Sequence, residues 1–442
     1  MITARSRYYL CLLVFLVFLA LSLLTIVDIR RGFLFPTYFK VGAPSVLLNL
    51  DWRQLLFLLI GLCGMWIAYK RIRRTEAGLI PTGAGLQTPA RIMALVIGLL
   101  LAIDLFLYRG VPVARTLAGG RMAAGPGTLG LGWAFPVQSL PGWLQPLGEG
   151  ISYLLIVWHA TVLGILLGGL FLVAGASIIT KLKSNSFGAH LAGSAMAMTQ
   201  PFCSCCAAPV GATLYRKGAA LGPTLAFIVS SPMLNITSLV LAGVLLPAKF
   251  ALLRIAAGII VGVLVTYIVA FAAIRWASQT GGGSGISISW AARIISVYSR
   301  LFRLESLVPE GQLSLPMTLI SSWVATSWRL AKLMVPVLLA GAVLASYIVQ
   351  AMPDPGHSVA SVLVTSAFAT LLMAPTWTEI PLAASFINNG LTGSAAVVLV
   401  ALPAVSIPCL TIIAGALRSV KVAIILGLAV FLAAVAAGIV FL

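Results

Sequence analysis

Apolar residues run through this chain in blocks long enough to cross a lipid bilayer as helices, and the breaks between blocks carry most of its charge. The first block extends from Tyr8 to Val27, behind Arg5 and Arg7. It is longer than a signal-peptide core and reads as a retained first span. The second extends from about Gln54 to Tyr69 and the third from about Arg91 to Tyr108, with Asp104 inside it. The stretch from Gly110 to Gly150 is Gly- and Pro-rich, carries Trp133 and Trp143, and reads as an external loop at the membrane interface. Ile151 to Thr180 form a further run that ends in Lys181 and Lys183. After a broken segment come runs over 219–246 and 252–274, a polar connector over 278–316, and a run over 333–349. A second broken segment, 357–389, and runs over 391–416 and 422–442 complete the chain. In the connector, Ile294, Ile295, Tyr298, Leu301 and Phe302 recur at helical spacing beside Arg293, Arg300 and Arg303, the pattern of a basic amphipathic surface helix.

The broken segments resemble each other. P-F-C-S-C-C-A-A-P, from Pro201 to Pro209, lies between apolar stretches too short to cross a bilayer alone. It reads as two half-helices meeting at an unwound elbow. A-P-T-W-T-E-I-P, with Pro375 and Pro381, is the second elbow. A shift of 172 residues lays Pro209 on Pro381, Ala212 on Ala384 and Gly218 on Gly390. Interrupted helices in matching places of two halves point to a transporter's binding site.

Charge sets the expected topology. Lys181 and Lys183 precede the first broken segment and Arg216 and Lys217 follow it, so both of its ends read as cytoplasmic and it enters and returns as a re-entrant hairpin. That half crosses an odd number of times, which inverts the second half. The second broken segment then opens outward between Asp354/His357 and Asn388/Asn389, and Arg418 and Lys421 fall inside. Lys249 is the outside basic residue of this portion. The expected architecture is an all-α polytopic membrane protein of about nine crossings with inverted repeats around two re-entrant hairpins. Its parts are a three-span region (1–110), an external loop (111–150), a first repeat with the Cys elbow (151–277), a cytoplasmic connector (278–316) and an inverted second repeat (317–442).

Composition narrows the class. Of 442 residues, 61% are apolar and 8% charged, with mean hydropathy +1.10, which excludes a soluble globular domain. The formal net charge of +19 serves orientation and attraction to anionic lipid, and no soluble basic face for nucleic acid is evident. Cys11 and Cys63 lie in apolar runs as small hydrophobes, and no disulfide framework is implied. Nucleotide-binding loops are missing, so ATP hydrolysis by this chain is not expected, nor is an enzyme activity or a cofactor.

The chemistry concentrates at the elbows. Cys203, Cys205 and Cys206 put three thiols at one helix break, and thiolates select soft species such as Cu(I), Zn, Hg and As(III) as substrate or metal. In an extended segment Cys203 and Cys205 share a side and would meet one ion; Cys206 joins only if the backbone bends. The alternative is that a tight elbow needs small residues and Cys is one. Glu379 at the second elbow aligns with Ala207, and a carboxylate at membrane depth is expensive enough to read as a proton-coupling group. Its alternative is a wet position in an outward vestibule. Asn235 offers an amide at a further break, S-S-P-M-L-N, whose counterpart holds Pro403, Ser406 and Pro408. Cys409 is a candidate to approach the thiol elbow from the other half. Asp104 reads first as one member of a structural pair, and His159 and His190 equally as packing residues or ligands.

The string F-C-S-C-C-A-A-P-V-G-A-T-L-Y-R-K-G-A-A-L-G, with A-F-I-V-S-S-P-M-L-N after it, resembles the signature of the YraQ/ArsP-like predicted permeases. E-I-P-L-A-A-S-F-I-N-N-G is similar to that family's second repeat, and the resemblance covers roughly residues 150 to 442. It implies a bacterial inner-membrane permease, and some members are linked to export of trivalent organoarsenicals. Cys206 stands where the family's pattern has a small residue such as Gly, which adds a third adjacent thiol. The expected function is proton-coupled export of a soft, thiol-reactive small molecule or metal species. Three other readings stay open: a transmembrane thiol-redox carrier, a permease for a small sulfur-containing or anionic metabolite, and a scaffold subunit of a larger assembly.

Overall fold

The computed structural model describes residues 4–31, 51–79, 87–118, 136–174, 180–198, 202–279, 315–350, 356–373, 379–417 and 419–442. Apart from short 3-10 turns and one π-turn, every regular element among them is an α-helix. Helix α1 spans Ala4–Arg31, α2 Trp52–Leu79, α3 Gln87–Ala118 and α4 Gln145–Ala174. Short helices follow: α5 Phe187–Met198, α6 Ser204–Arg216, α7 Leu221–Met233 and α8 Ile236–Leu245. Then come α9 Ala248–Ile259, a π-helical turn Ile260–Val265, α10 Thr266–Gln279 and α11 Pro316–Gln350. The last are α12 Val359–Leu371, α13 Glu379–Asn388, α14 Thr392–Ala404, α15 Ile407–Leu417 and α16 Val420–Val440.

Eight helical stretches among the described residues are long and apolar enough to cross a membrane, which makes the chain an all-α, multi-pass membrane protein. Two of them, Leu221–Leu245 and Thr392–Leu417, each join two short helices across a break. The expected run from Ile151 lies in α4, and α3 continues past Gly110 to Ala118. The amphipathic pattern of the connector lies outside the described residues, as do Pro201 and Pro375.

The chain divides into two compact units. The first comprises residues 1–121, 158–174 and 308–328. In it, α1 and α2 form an antiparallel pair held at both ends: Tyr8 Oη donates to Glu76 Oε1 at 2.9 Å, and Gln54 Nε2 donates to Asp28 Oδ2 at 2.7 Å. Between those ends Gly61 and Gly64 let α2 lie directly on Ser22 and Phe18 of α1; a Cβ at either glycine would overlap them. Small residues are what permit such close approach where no hydrophobic effect separates helix from lipid. Asp104 of α3 meets His159 of α4 at 3.0 Å, both buried, so the expected structural pair exists.

The second unit comprises residues 122–157, 175–307 and 329–442. Its centre is α7 and α14, buried along almost their whole lengths. Helices that are apolar on every side belong inside a bundle. Helix α16 instead leaves Ile424, Leu428 and Leu432 on the outside, as a lipid-facing helix does. Helix boundaries in this unit recur at one spacing. Phe187 and Val359 open helices 172 positions apart, Arg216 and Asn388 close helices 172 apart, and Ala248 and Val420 again open helices 172 apart. Gly218 (φ +97°) and Gly390 (φ +79°), the glycines described with positive φ, fall at the same spacing in the turns after α6 and α13. Only glycine adopts that backbone conformation without steric cost.

Candidate functional site

The first elbow is a helix start rather than an extended strand of thiols. Cys203 is the N-cap of α6, with extended backbone (φ −75°, ψ 165°), and the helix begins at Ser204. Helical winding brings positions three apart together, so Cys203 Sγ lies 2.9 Å from Cys206 Sγ. The expected pairing of Cys203 with Cys205 across an extended segment is therefore replaced by Cys203 with Cys206. The backbone bends where Cys206 needed it to bend. Cys205 is in the first turn of α6, and its side chain lies outside the described residues. Among the described residues no group of three or more His, Cys, Asp or Glu side chains is placed to hold a metal ion.

Pro209 and Pro381 are not elbow residues. Pro209 is buried inside α6, where it leaves the carbonyl of Cys205 without its helical N–H donor. Pro381 is the third residue of α13, a first-turn position whose N–H has no helical partner in any case. The helices begin earlier than the proline pattern implied: Pro381 fits a first turn, and α6 runs through Pro209 at the cost of one helical hydrogen bond.

Ser204 points the first elbow at the opposite half. Its Oγ lies 3.2 Å from Oγ of Ser406, a residue in the break between α14 and α15. Helix α15 packs against α6 and carries Cys409, which is fully buried. The second elbow mirrors this. Helix α13, which opens with Glu379, packs against α8, just past the break in the first half.

Glu379 is 1% exposed, which removes the wet-vestibule reading, and its Oε1 accepts from Nη2 of Arg254 at 3.1 Å. Arg254, fully buried, was not among the residues the sequence singled out. Its Nη2 also donates to Pro232 O at 2.8 Å and to Ser238 Oγ at 3.3 Å, and its Nη1 to Leu399 O at 3.1 Å. Leu399 stands four residues before Pro403, which has no N–H to give it, so the guanidinium takes over a carbonyl that proline freed. A signal for Arg254 was present: it is a lone arginine inside the apolar 252–274 run, and an ionisable residue at membrane depth is a functional candidate by default.

Asn235 sits in the break between α7 and α8, 2% exposed, and its Oδ1 accepts from Ser238 N at 3.2 Å as a helix cap. His190 is buried against the π-turn, where its Nε2 lies 3.0 Å from Val263 O.

The geometry can be set beside known proteins. Residues 150–442 match the ArsP_1 family, described as predicted permease. The UPF0718 protein YraQ of Escherichia coli (strain K12) is 30% identical over 276 residues, which cover 61% of this chain and 72% of YraQ. The UPF0718 protein MJ0584 of Methanocaldococcus jannaschii is 24% identical over 287 residues, 55% of this chain and 78% of that protein. No solved structure matches the chain. The elbows, the helix breaks and the ion pair that joins them all lie within the matched residues, and the chain belongs to the ArsP_1 family of predicted permeases, as a multi-pass membrane transporter.

Proposed function

We propose that this permease exports a soft, thiol-reactive compound, with trivalent organoarsenicals as the leading candidates, across a bacterial inner membrane in exchange for protons. The observation that carries the reading is the 2.9 Å approach of Cys203 and Cys206 at the start of a buried half-helix. Two thiols so placed are a chelating pair for one trivalent arsenic. A dihydroxy methylarsenical loses two hydroxyls as water, each with one thiol proton, and gains two As–S bonds. Arsenic stays trivalent, and hydrolysis on the far side reverses the step. Soft sulfur ligands select such species over hard cations.

Glu379 is the proton acceptor in this scheme. A proton on its carboxylate cancels the charge that Arg254 faces and frees the guanidinium to other acceptors. Arg254 also holds Pro232 O and Leu399 O, at helix ends of both halves, so releasing it loosens α7 from α14. The two halves have opposite orientations in this scheme, with the N-terminus cytoplasmic, and alternating access rocks one half against the other. The 172-residue spacing of helix boundaries supports the repeat.

Flux of a trivalent methylarsenical into everted vesicles with an imposed pH gradient tests the reading. The native chain is expected to accumulate it, and Cys203→Ser, Cys206→Ser and Glu379→Gln each to abolish accumulation. No accumulation by the native chain discards arsenicals. Accumulation that survives both thiol substitutions leaves a permease that does not use the thiols. A mixed disulfide trapped on Cys203 or Cys206 with a thioredoxin-like protein, without flux, would turn the same thiol pair to redox transfer.

A further inference from the structure

The span Ala248–Arg275 is not regular throughout, because Ile260–Val265 winds as a π-helix near its midpoint. π-turns are rare, weaken the local ladder and concentrate at functional sites. Its Gly262 and Val263 carbonyls meet four polar side chains, His190 and Ser194 of α5, Ser230 of α7 and Thr266 of α10. Gly262 O lies 2.7 Å from Thr266 Oγ1, 3.0 Å from Ser230 Oγ and 3.5 Å from Ser194 Oγ. Ser194 and Ser230 Oγ are 3.1 Å apart. His190, one turn before Ser194 on the same face of α5, places Nε2 3.0 Å from both Val263 O and Thr266 Oγ1. Thr266 Oγ1 and Val263 O are 3.3 Å apart. All four side chains are buried, His190, Ser230 and Thr266 completely. A Cβ on Gly262 would stand 2.7 Å from Ser230 Oγ, so the position is kept empty for the hydroxyl.

The Val263 carbonyl already accepts the backbone N–H of Thr266 as well as facing His190. This cluster brings three hydroxyls and an imidazole, from three elements, into the middle of otherwise apolar helices. Five oxygens carry about ten lone pairs against about five available protons, the Thr266 N–H included. Among the described residues, none of the hydrogen bonds these groups make is to a carboxylate. Neutral hydroxyls and backbone carbonyls at an irregular helix are the groups that replace the hydration shell of a monovalent cation in membranes. The distances fit a small one. An ion with oxygens at about 2.4 Å sets octahedral neighbours about 3.4 Å apart. The triangle of Gly262 O, Ser194 Oγ and Ser230 Oγ has edges of 3.0, 3.1 and 3.5 Å.

We propose that Gly262 O, Val263 O and the hydroxyls of Ser194, Ser230 and Thr266, beside His190, form a Na⁺ site within the permease core. It shares no residue with the thiol elbow or with Glu379, so it stands whether or not the transported compound is an arsenical.

Thermal unfolding of the purified full-length protein, at one pH, without substrate and in matched NaCl, KCl and choline chloride, tests it. Sodium is expected to raise Tm by about 3 °C or more over the other two salts, saturably. Ser194→Ala and Thr266→Val should each weaken the apparent sodium affinity about tenfold or more, the effect of losing one good ligand. Ser231→Ala removes a hydroxyl that bonds only Phe227 O of its own helix and should leave the response intact. Equal Tm in the three salts overturns the proposal. So does a sodium response unchanged in Ser194→Ala, Ser230→Ala and Thr266→Val alike, or a response to pH alone that His190→Gln removes.

Discussion

The two elbows stand in corresponding places of their halves and carry opposite chemistry. At the first, Cys203 Sγ approaches Cys206 Sγ and Ser204 Oγ approaches Ser406 Oγ. At the second, Glu379 is a buried carboxylate that draws a guanidinium from α9, 125 positions away. The difference follows from what burial demands. A thiol is at ease in an apolar interior, whereas a buried charge must be paired and hydrogen-bonded. Similar helix breaks thus carry two kinds of contact: cysteine and serine side chains meet at the first elbow, while an ion pair ties the second to α9.

The largest effect that would break or sharpen this contrast is at the second elbow. Arg254→Met or Glu379→Leu alone leaves the other charge buried and unpaired, and each should cost about 3–5 kcal/mol of stability in a detergent melt. The double substitution should recover most of that loss. A double variant as unstable as the sum of the singles would show the pair is not coupled. Next come Gly218→Ala and Gly390→Ala, each expected to cost about 1–2 kcal/mol through the positive φ alone, since a Cβ on Gly218 meets nothing within 4 Å. Similar losses would support the equivalence of the two turns; a loss at only one would break it. Ser204→Ala and Ser406→Ala should lose about 1 kcal/mol each and together little more than either, read by a double-mutant cycle. The smallest effect belongs to Cys203→Ser and Cys206→Ser, within about 1 kcal/mol of native stability. A thiol variant as destabilised as Arg254→Met would mean the first elbow, too, is built for structure.

Much of the fold was legible. Uninterrupted apolar runs require helices in a bilayer, and two proline-broken segments with matching glycines located the irregular places. Glu379 and the thiols were legible because a carboxylate, or three sulfurs, at a break exceeds what packing needs. Pro209 and Pro381 misled, since a proline near a helix start looks the same in sequence as one that ends a helix. Arg254 stood in plain view inside the 252–274 run, but nothing local in the sequence ties it to Glu379, 125 positions away.

By itself the sequence determined what is local: hydropathy, helix, turn and the inventory of reactive groups. It also marked Glu379 as a costly carboxylate at a helix break, leaving its surroundings open between a buried site and a wet vestibule. Tertiary structure alone decided that Arg254 pairs with Glu379, that Cys203 pairs with Cys206, that Ser204 faces Ser406, and that a π-turn meets His190, Ser194 and Ser230. The physical reason is range. Propensity and hydropathy act within a few residues, whereas burial acts on whichever distant groups the packed helices bring together.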